Sequence, residues 1–74
     1  MDIKVQIGER IKELRDAKKL SQQDLANAAD MERTFITHIE TGKRNISVDT
    51  LQKVLEALEI SFKDFFDSAI FTAA

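Results

Sequence analysis

SQQDLANAADMERTFITHIETGKRN, residues 21–45, is the stretch that decides how this chain folds. Ser21 suits a helix N-cap, because its hydroxyl accepts an orphan N–H of the first turn. Asp24, three residues on, sets a carboxylate near the positive end of the helix dipole. The spacing predicts a short helix from Gln22 to about Ala28, with Leu25 and Ala28 inward. Ala29-Asp30-Met31 breaks the pattern, and Asp adopts the left-handed conformation more readily than most residues, so a tight turn is expected there. A second helix follows from about Glu32 to Thr41, with Ile36, Ile39 and Glu40 on its inner face and Gly42 as its C-cap. Two short helices joined by about three residues form a helix-turn-helix, whose second helix enters the major groove of DNA.

The outer face of that second helix fits such a task. Thr34, Thr37, His38 and Thr41 recur at i, i+3, i+4 and i+7 and are polar yet almost free of fixed charge. An ordinary solvated face carries more Lys and Glu, whereas base edges require short donors and acceptors. Arg33 stands at the start of the helix, where side chains reach the bases, and its planar fork matches guanine O6 and N7. Taken alone, Arg33 is equally well a solvated arginine beside Glu32; within a helix-turn-helix, the base contact is the reading. His38 is a base or phosphate contact or simply a polar surface residue. Lys43, Arg44 and Asn45 follow the helix and would touch the DNA backbone, while also balancing the helix dipole. On the other side, the N-terminus of the first short helix, with Gln22 and Gln23, is a phosphate site. Phe35, on the flank, either pads the domain or lies against the sugar-phosphate backbone.

Working outward, Ile3, Ile7, Ile11 and Leu14 mark an amphipathic helix running to about Lys18. Gly8 inside it costs about 1 kcal/mol relative to Ala, for which close helix packing is the natural reason. Arg15, one turn after Ile11, falls on the buried side, as does Glu40; each needs a partner, and an Arg15–Glu40 ion pair is expected. Beyond the core stretch, Ser47 caps a helix that turns Leu51, Val54, Leu55 and Leu58 inward. Ser61 and Asp64 repeat the cap of a fifth helix, from Phe62 to around Ser68 and onward toward Phe71. Phe62, Phe65, Phe66, Ile70 and Phe71 are more apolar surface than one small core buries, so they are the expected dimer interface.

Composition bounds the rest. A chain of 74 residues is one domain, 1–74, and buries only roughly 60% of its unfolded surface. Two Gly, no Pro and an abundance of helix formers indicate an all-α chain. Without Cys, and with His38 alone, neither a disulfide nor a metal site is expected, and no cofactor is implied. No signal peptide or membrane span is evident, which suggests the cytoplasm. Net charge is -2, but residues 1–45 carry nine Lys/Arg against eight Asp/Glu, and residues 46–74 carry two against five. A polyanion should meet the first two-thirds of the chain.

The runs Ile7-Gly8-Glu9-Arg10-Ile11-Lys12-Glu13-Leu14-Arg15, Leu20-Ser21-Gln22-Gln23-Asp24-Leu25-Ala26 and Arg33-Thr34-Phe35-Ile36-Thr37-His38-Ile39-Glu40-Thr41-Gly42-Lys43-Arg44-Asn45 resemble the phage-repressor-like (Xre/Cro) family. The resemblance spans about residues 5–66 and implies a five-helix, lambda-repressor-like fold. Residues 67–74 would extend the last helix, fray, or contribute to a dimer. Within the family, the Arg-Thr-aromatic-Ile-Thr run and the later Arg-Asn look like controller proteins of restriction–modification systems. That likeness implies a homodimer on palindromic double-stranded DNA, with Arg33 and Thr34 reading bases. It sets Phe35, Thr37, Arg44, Asn45 and Ser47 near the backbone, Gln22 and Gln23 at phosphate, and Arg15 with Glu40 as the interhelical pair. Asp30 departs from the pattern, which usually has Gly in the turn.

An antitoxin or another protein-interaction module built on the same fold is the alternative, and the neutral polar face of the second helix favours DNA over it. An enzyme finds no support: there is no Cys, no Gly-rich phosphate loop and a single His. No small-molecule effector site and no membrane partner are evident.

Overall fold

Serine side chains start three of the helices. In the computed structural model, which describes residues 2–72, Ser21, Ser47 and Ser61 hold extended backbone, and each accepts through Oγ from the N–H three residues on. The distances are 2.9 Å from Asp24, 3.1 Å from Thr50 and 3.1 Å from Asp64. Asp24 completes a capping box by accepting from the Ser21 N–H at 2.9 Å. Asp2 caps the first helix through the Lys4 N–H at 2.9 Å. The described elements are α1 (Ile3–Ala17), α2 (Gln22–Ala28), α3 (Arg33–Glu40), α4 (Val48–Leu58), α5 (Phe62–Phe66) and α6 (Ala69–Thr72). Glu32, expected to open α3 from within, is its N-cap instead and makes no side-chain capping bond.

The helix ends are as uniform as the starts. Lys19, Asp30, Gly42 and Glu59 hold φ of 59°, 56°, 73° and 57°. After each, the next N–H reaches back five residues: Leu20 to Arg15 O (3.0 Å), Met31 to Ala26 O (2.8 Å), Lys43 to His38 O (3.0 Å) and Ile60 to Leu55 O (3.0 Å). These are Schellman closures, which satisfy the orphan carbonyls. Asp30 thus makes the left-handed turn between α2 and α3, as its side chain suggested.

Every helix from α1 to α5 contributes to one core: Ile11, then Leu25 and Ala26, Ile36 and Ile39, the Leu51/Val54/Leu55/Leu58 stripe, and Phe65. Burying each large side chain of this set contributes about 1.5–3 kcal/mol. Two inward faces differ from expectation. In α2, Ala26 is buried beside Leu25, as is the C-cap Ala29, while Ala28 is exposed. In α1, Ile3 is 52% exposed, Ile7 and Leu14 are half-buried, and Gln6, Gly8 and Arg15 join Ile11 on the buried side. The reason is close approach and polar partnering. A Cβ on Gly8 would lie 2.8 Å from the Glu40 carbonyl oxygen and closer still to that of Ile39, so only glycine lets α1 rest on the last turn of α3. The Gln6 amide donates to Ile70 O at 2.9 Å.

The fifth helix does not run on toward Phe71. It stops at Phe66, and α6 begins after Asp67 and Ser68. Arg10 braces the break: its guanidinium donates to Phe65 O (2.8 Å) and Asp64 O (2.9 Å), the latter also accepting from the Asp67 N–H at 3.3 Å. The chain turns at Ser68, whose Oγ accepts from Ile70 N at 3.2 Å. Phe71 then folds back onto Phe66 and Phe65, with ring centroids 4.9 and 5.7 Å apart.

Candidate nucleic-acid interface

α3 is held from behind by a buried ion pair. Arg15 Nε donates to Glu40 Oε2 at 2.8 Å and Nη2 to Oε1 at 3.1 Å, with side chains 10% and 3% exposed. This two-point geometry is the strong form of the contact. The hydrogen bond to Glu40 raises the Arg15 pKa above its ordinary value; burial opposes this, and the charges of Glu40 and Asp16 add to it. Arg15 Nη1 also donates to Leu20 O at 2.8 Å, so one guanidinium ties α1, the loop before α2 and α3 together. The expected pairing of Arg15 with Glu40 is therefore present.

A second layer was not foreseen. Gln22 Nε2 donates to Glu40 Oε1 at 3.1 Å, and Thr37 Oγ1 lies 3.0 Å from Gln22 Oε1 and 3.1 Å from Arg33 O. Gln22, expected beside phosphate, thus turns its amide inward. Of the first-turn N–H groups of α2, that of Asp24 is taken by Ser21 Oγ, which leaves those of Gln22 and Gln23 without a partner within the helix. Thr37 is half-buried rather than fully outward. A glutamine at the first position of a helix reads as surface, and only the buried carboxylate of Glu40, with lone pairs to fill beyond Arg15, hints at a further donor.

The remaining candidates divide by exposure. Arg33, Thr34 and Thr41 are exposed and His38 is half-buried. Among the described residues, the side chains of Arg33 and Thr34 make no hydrogen bond or ion pair within the chain. Gln23 is exposed and bonds only Asn27, at 2.9 Å. Lys43, Arg44 and Asn45 are exposed just beyond the C-terminus of α3. The Arg44 guanidinium carbon sits 4.9 Å from the centre of the half-buried Phe35 ring, a cation–π contact that holds both side chains beside α3. Ser47 is exposed, but its hydroxyl accepts from Thr50 N and donates to Thr50 Oγ1 at 2.9 Å, so it is engaged within its own cap.

The expected dimer residues split. Phe65 is 0% exposed and belongs to the core of its own subunit, so it is no interface residue: position 65 faces inward, where Leu58 and Val54 also lie. Phe62 and Phe66 are 37% and 39% exposed, Ile70 and Phe71 are half-buried, and the Phe71 ring lies 4.9 Å from that of Phe66. No helix among the described residues is long and apolar enough to cross a membrane. Nor do the described residues bring three His, Cys, Asp or Glu side chains together as a metal site.

A short helix displayed on a rigid two-helix support, with unengaged Arg and Thr at its start and cations past its end, defines a helix-turn-helix domain. Residues 11–65 match the helix-turn-helix family, and the chain belongs to that family. The control protein C.MunI of Mycoplasma sp is 41% identical over 66 residues, 88% of this chain and 89% of its own. Among solved structures, the restriction-modification controller protein C.AhdI from Aeromonas hydrophila superposes with a TM-score of 0.81 at 38% identity, over 85% of this chain and 96% of its own. The controller protein C.Esp1396I, a tetramer in complex with its natural 35 base-pair operator, superposes with a TM-score of 0.86 at 31% identity, over 90% and 88%.

Proposed function

We propose that this chain is a sequence-specific DNA-binding transcriptional regulator of the control-protein kind, not an enzyme, acting in the cytoplasm as a homodimer of single-domain subunits on a palindromic operator. The observation that carries the reading is α3, whose exposed Arg33 and Thr34 have no partner among the described residues of their own chain. A long cation left unpaired at the head of a braced helix is what a guanine edge requires. The likeness to a controller protein solved on its operator supports it.

In this reading Arg33 forks onto guanine, and Thr34, Thr37 and His38 reach neighbouring bases. Gln23, Lys43, Arg44, Asn45 and the N-termini of α2 and α4 meet the phosphates on either side, with Phe35 backing Arg44. The half-exposed aromatic face of Phe62, Phe66, Ile70 and Phe71 meets its copy across a twofold axis. Two α3 helices then stand about 34 Å apart, one turn of DNA. The overall charge of -2 keeps non-specific affinity modest, so discrimination rests on base contacts.

Selection of bound duplexes from a random pool, followed by anisotropy titration at two salt concentrations, tests the proposal. A palindromic consensus with half-sites one helical turn apart, and affinity falling with salt, is the expected result. Equal binding to consensus and scrambled duplexes overturns it. Sedimentation of the Phe66→Asp variant tests the dimer: it should run as a folded monomer at concentrations where the unaltered chain is dimeric.

A further inference from the structure

The guanidinium of Arg44 is held by an aromatic ring and by no acceptor. Its central carbon lies over the Phe35 ring, 4.9 Å from the ring centre. Among the described residues, no carboxylate pairs with it and no oxygen of the chain takes one of its N–H groups. Arg10 and Arg15 are spent differently, on Glu13, Asp64 O and Phe65 O and on Glu40 and Leu20 O respectively. An arginine bound to an acid or a carbonyl must release that partner before it takes a phosphate. Arg44 keeps its full charge and has no acceptor atom on any of its five N–H donors. The loop around it supplies little other restraint. The Lys43 N–H closes α3 on His38 O and Ser47 caps α4, but between them the N–H groups of Arg44, Asn45 and Ile46 have no backbone partner among the described residues. Ile46 packs against the core, which fixes the path of the loop but not the far end of the Arg44 side chain. Phe35 packs against the core as well, so its ring is a fixed platform.

We propose that Phe35 is a positioning residue: its ring holds the Arg44 guanidinium ready for one phosphate of the operator, and Phe35 contributes to DNA affinity through Arg44 rather than by a contact of its own. This rests on the DNA-binding reading above. A long side chain loses rotamer freedom when a ligand fixes it, and here that loss is taken on folding instead of on binding. Phosphate oxygens match a guanidinium at two points, and a phosphate contact carries no base preference. The pair therefore raises affinity for every sequence alike and leaves discrimination to Arg33 and its neighbours.

The test uses the full chain with its selected duplex and a scrambled one, titrated by anisotropy over a series of salt concentrations. Arg44→Ala should weaken both duplexes about tenfold and lower the salt slope by about one unit. Phe35→Leu, checked for folding by its melting curve and repeated with Phe35→Met, should weaken both about fivefold, the worth of one long side chain left to be ordered on binding. Phe35→Tyr keeps a ring face and should bind no more than about twofold more weakly than the parent. In the Arg44→Ala background, Phe35→Leu should cost less than about twofold, since the residue it positions is gone. An equal loss from Phe35→Leu in both backgrounds marks a direct DNA contact or a general support of α3 and overturns the inference. So does a Phe35→Leu chain that binds as the parent does, or a loss in Phe35→Tyr equal to that in Phe35→Leu. An Arg44→Ala chain that keeps its salt slope, or that loses preference at a single base pair, overturns it too. Absence of any sequence preference in the unaltered chain instead overturns the DNA-binding reading beneath it.

Discussion

Replacing Gly8 by Ala sets two effects against each other, and the structure decides between them. In an isolated helix the change stabilises by about 1 kcal/mol, because glycine is the poorer helix former. Here the new methyl would stand 2.8 Å from the Glu40 carbonyl oxygen and 3.0 Å from its carbon, with the Ile39 carbonyl nearer still. Those atoms are backbone and cannot rotate away, so α1 must back off from the end of α3. Overpacking of this kind costs about 1–3 kcal/mol, and rigid neighbours place it at the upper end. Separation of α1 from α3 also stretches the Arg15–Glu40 pair, whose two bonds of 2.8 and 3.1 Å leave little slack. We expect a net loss of about 2 kcal/mol, where each kcal/mol lowers the Tm of so small a domain by about 4–8 °C. Circular dichroism melts at one fixed protein concentration measure it, since association shifts Tm by mass action. Lys12→Ala, on the exposed side of α1, is the control and should change stability by less than about 0.5 kcal/mol. A Gly8→Ala variant as stable as the parent would refute the reasoning, for the two helices would then not be in backbone contact.

Arg33→Ala should weaken binding to the selected duplex by about 1–3 kcal/mol and relax preference at one base pair; uniform weakening on all duplexes would make Arg33 a phosphate contact instead. Lys19→Gly and Glu59→Gly each relieve a left-handed residue at φ 59° and 57°, and each should raise stability by up to about 1 kcal/mol in denaturant titration. The Asp24 carboxyl is held below its ordinary range by hydrogen bonds from the Ser21 backbone and then its side chain. Its stabilisation is therefore present above the ordinary carboxylate pKa and fades as pH falls through the lower folded value. Asp24→Asn should accordingly flatten part of the acid limb of a stability-versus-pH curve while leaving its neutral-to-basic limb unchanged in shape.

Features set by one side chain's own chemistry were legible in the sequence. Asp30 in a turn, serines before apolar runs and two opposite charges on inward faces each announce a local need, and each is met as expected. Features set by a distant partner were not. The stop of α5 at Phe66 falls where Arg10 grips its end, 55 residues away from the carbonyl it takes. Phe62, Phe65 and Phe66 share one helical face at i, i+3 and i+4, so periodicity alone does not say that Phe65 is the buried one. Ile3 belongs to the apolar stripe of α1 yet lies beyond the surface α3 can cover, while Gln6 lies inside it because Ile70 supplies an acceptor. Apolar counting is blind to a buried amide. The same blindness hid Gln22 from the reading of α2.

Gln6 and Ile70 are joined across 64 positions of sequence, and Arg10 reaches Asp64 and Phe65 in the same sweep. The first helix and the segment from α5 to α6 thus latch one another. The fully buried hydrophobic centre ends at Phe65, whereas the latch reaches on to Ile70 and sets the Phe71 ring over Phe66. Loss of the Gln6–Ile70 bond would accordingly leave that interior in place and free the Phe71 ring from its seat on Phe66.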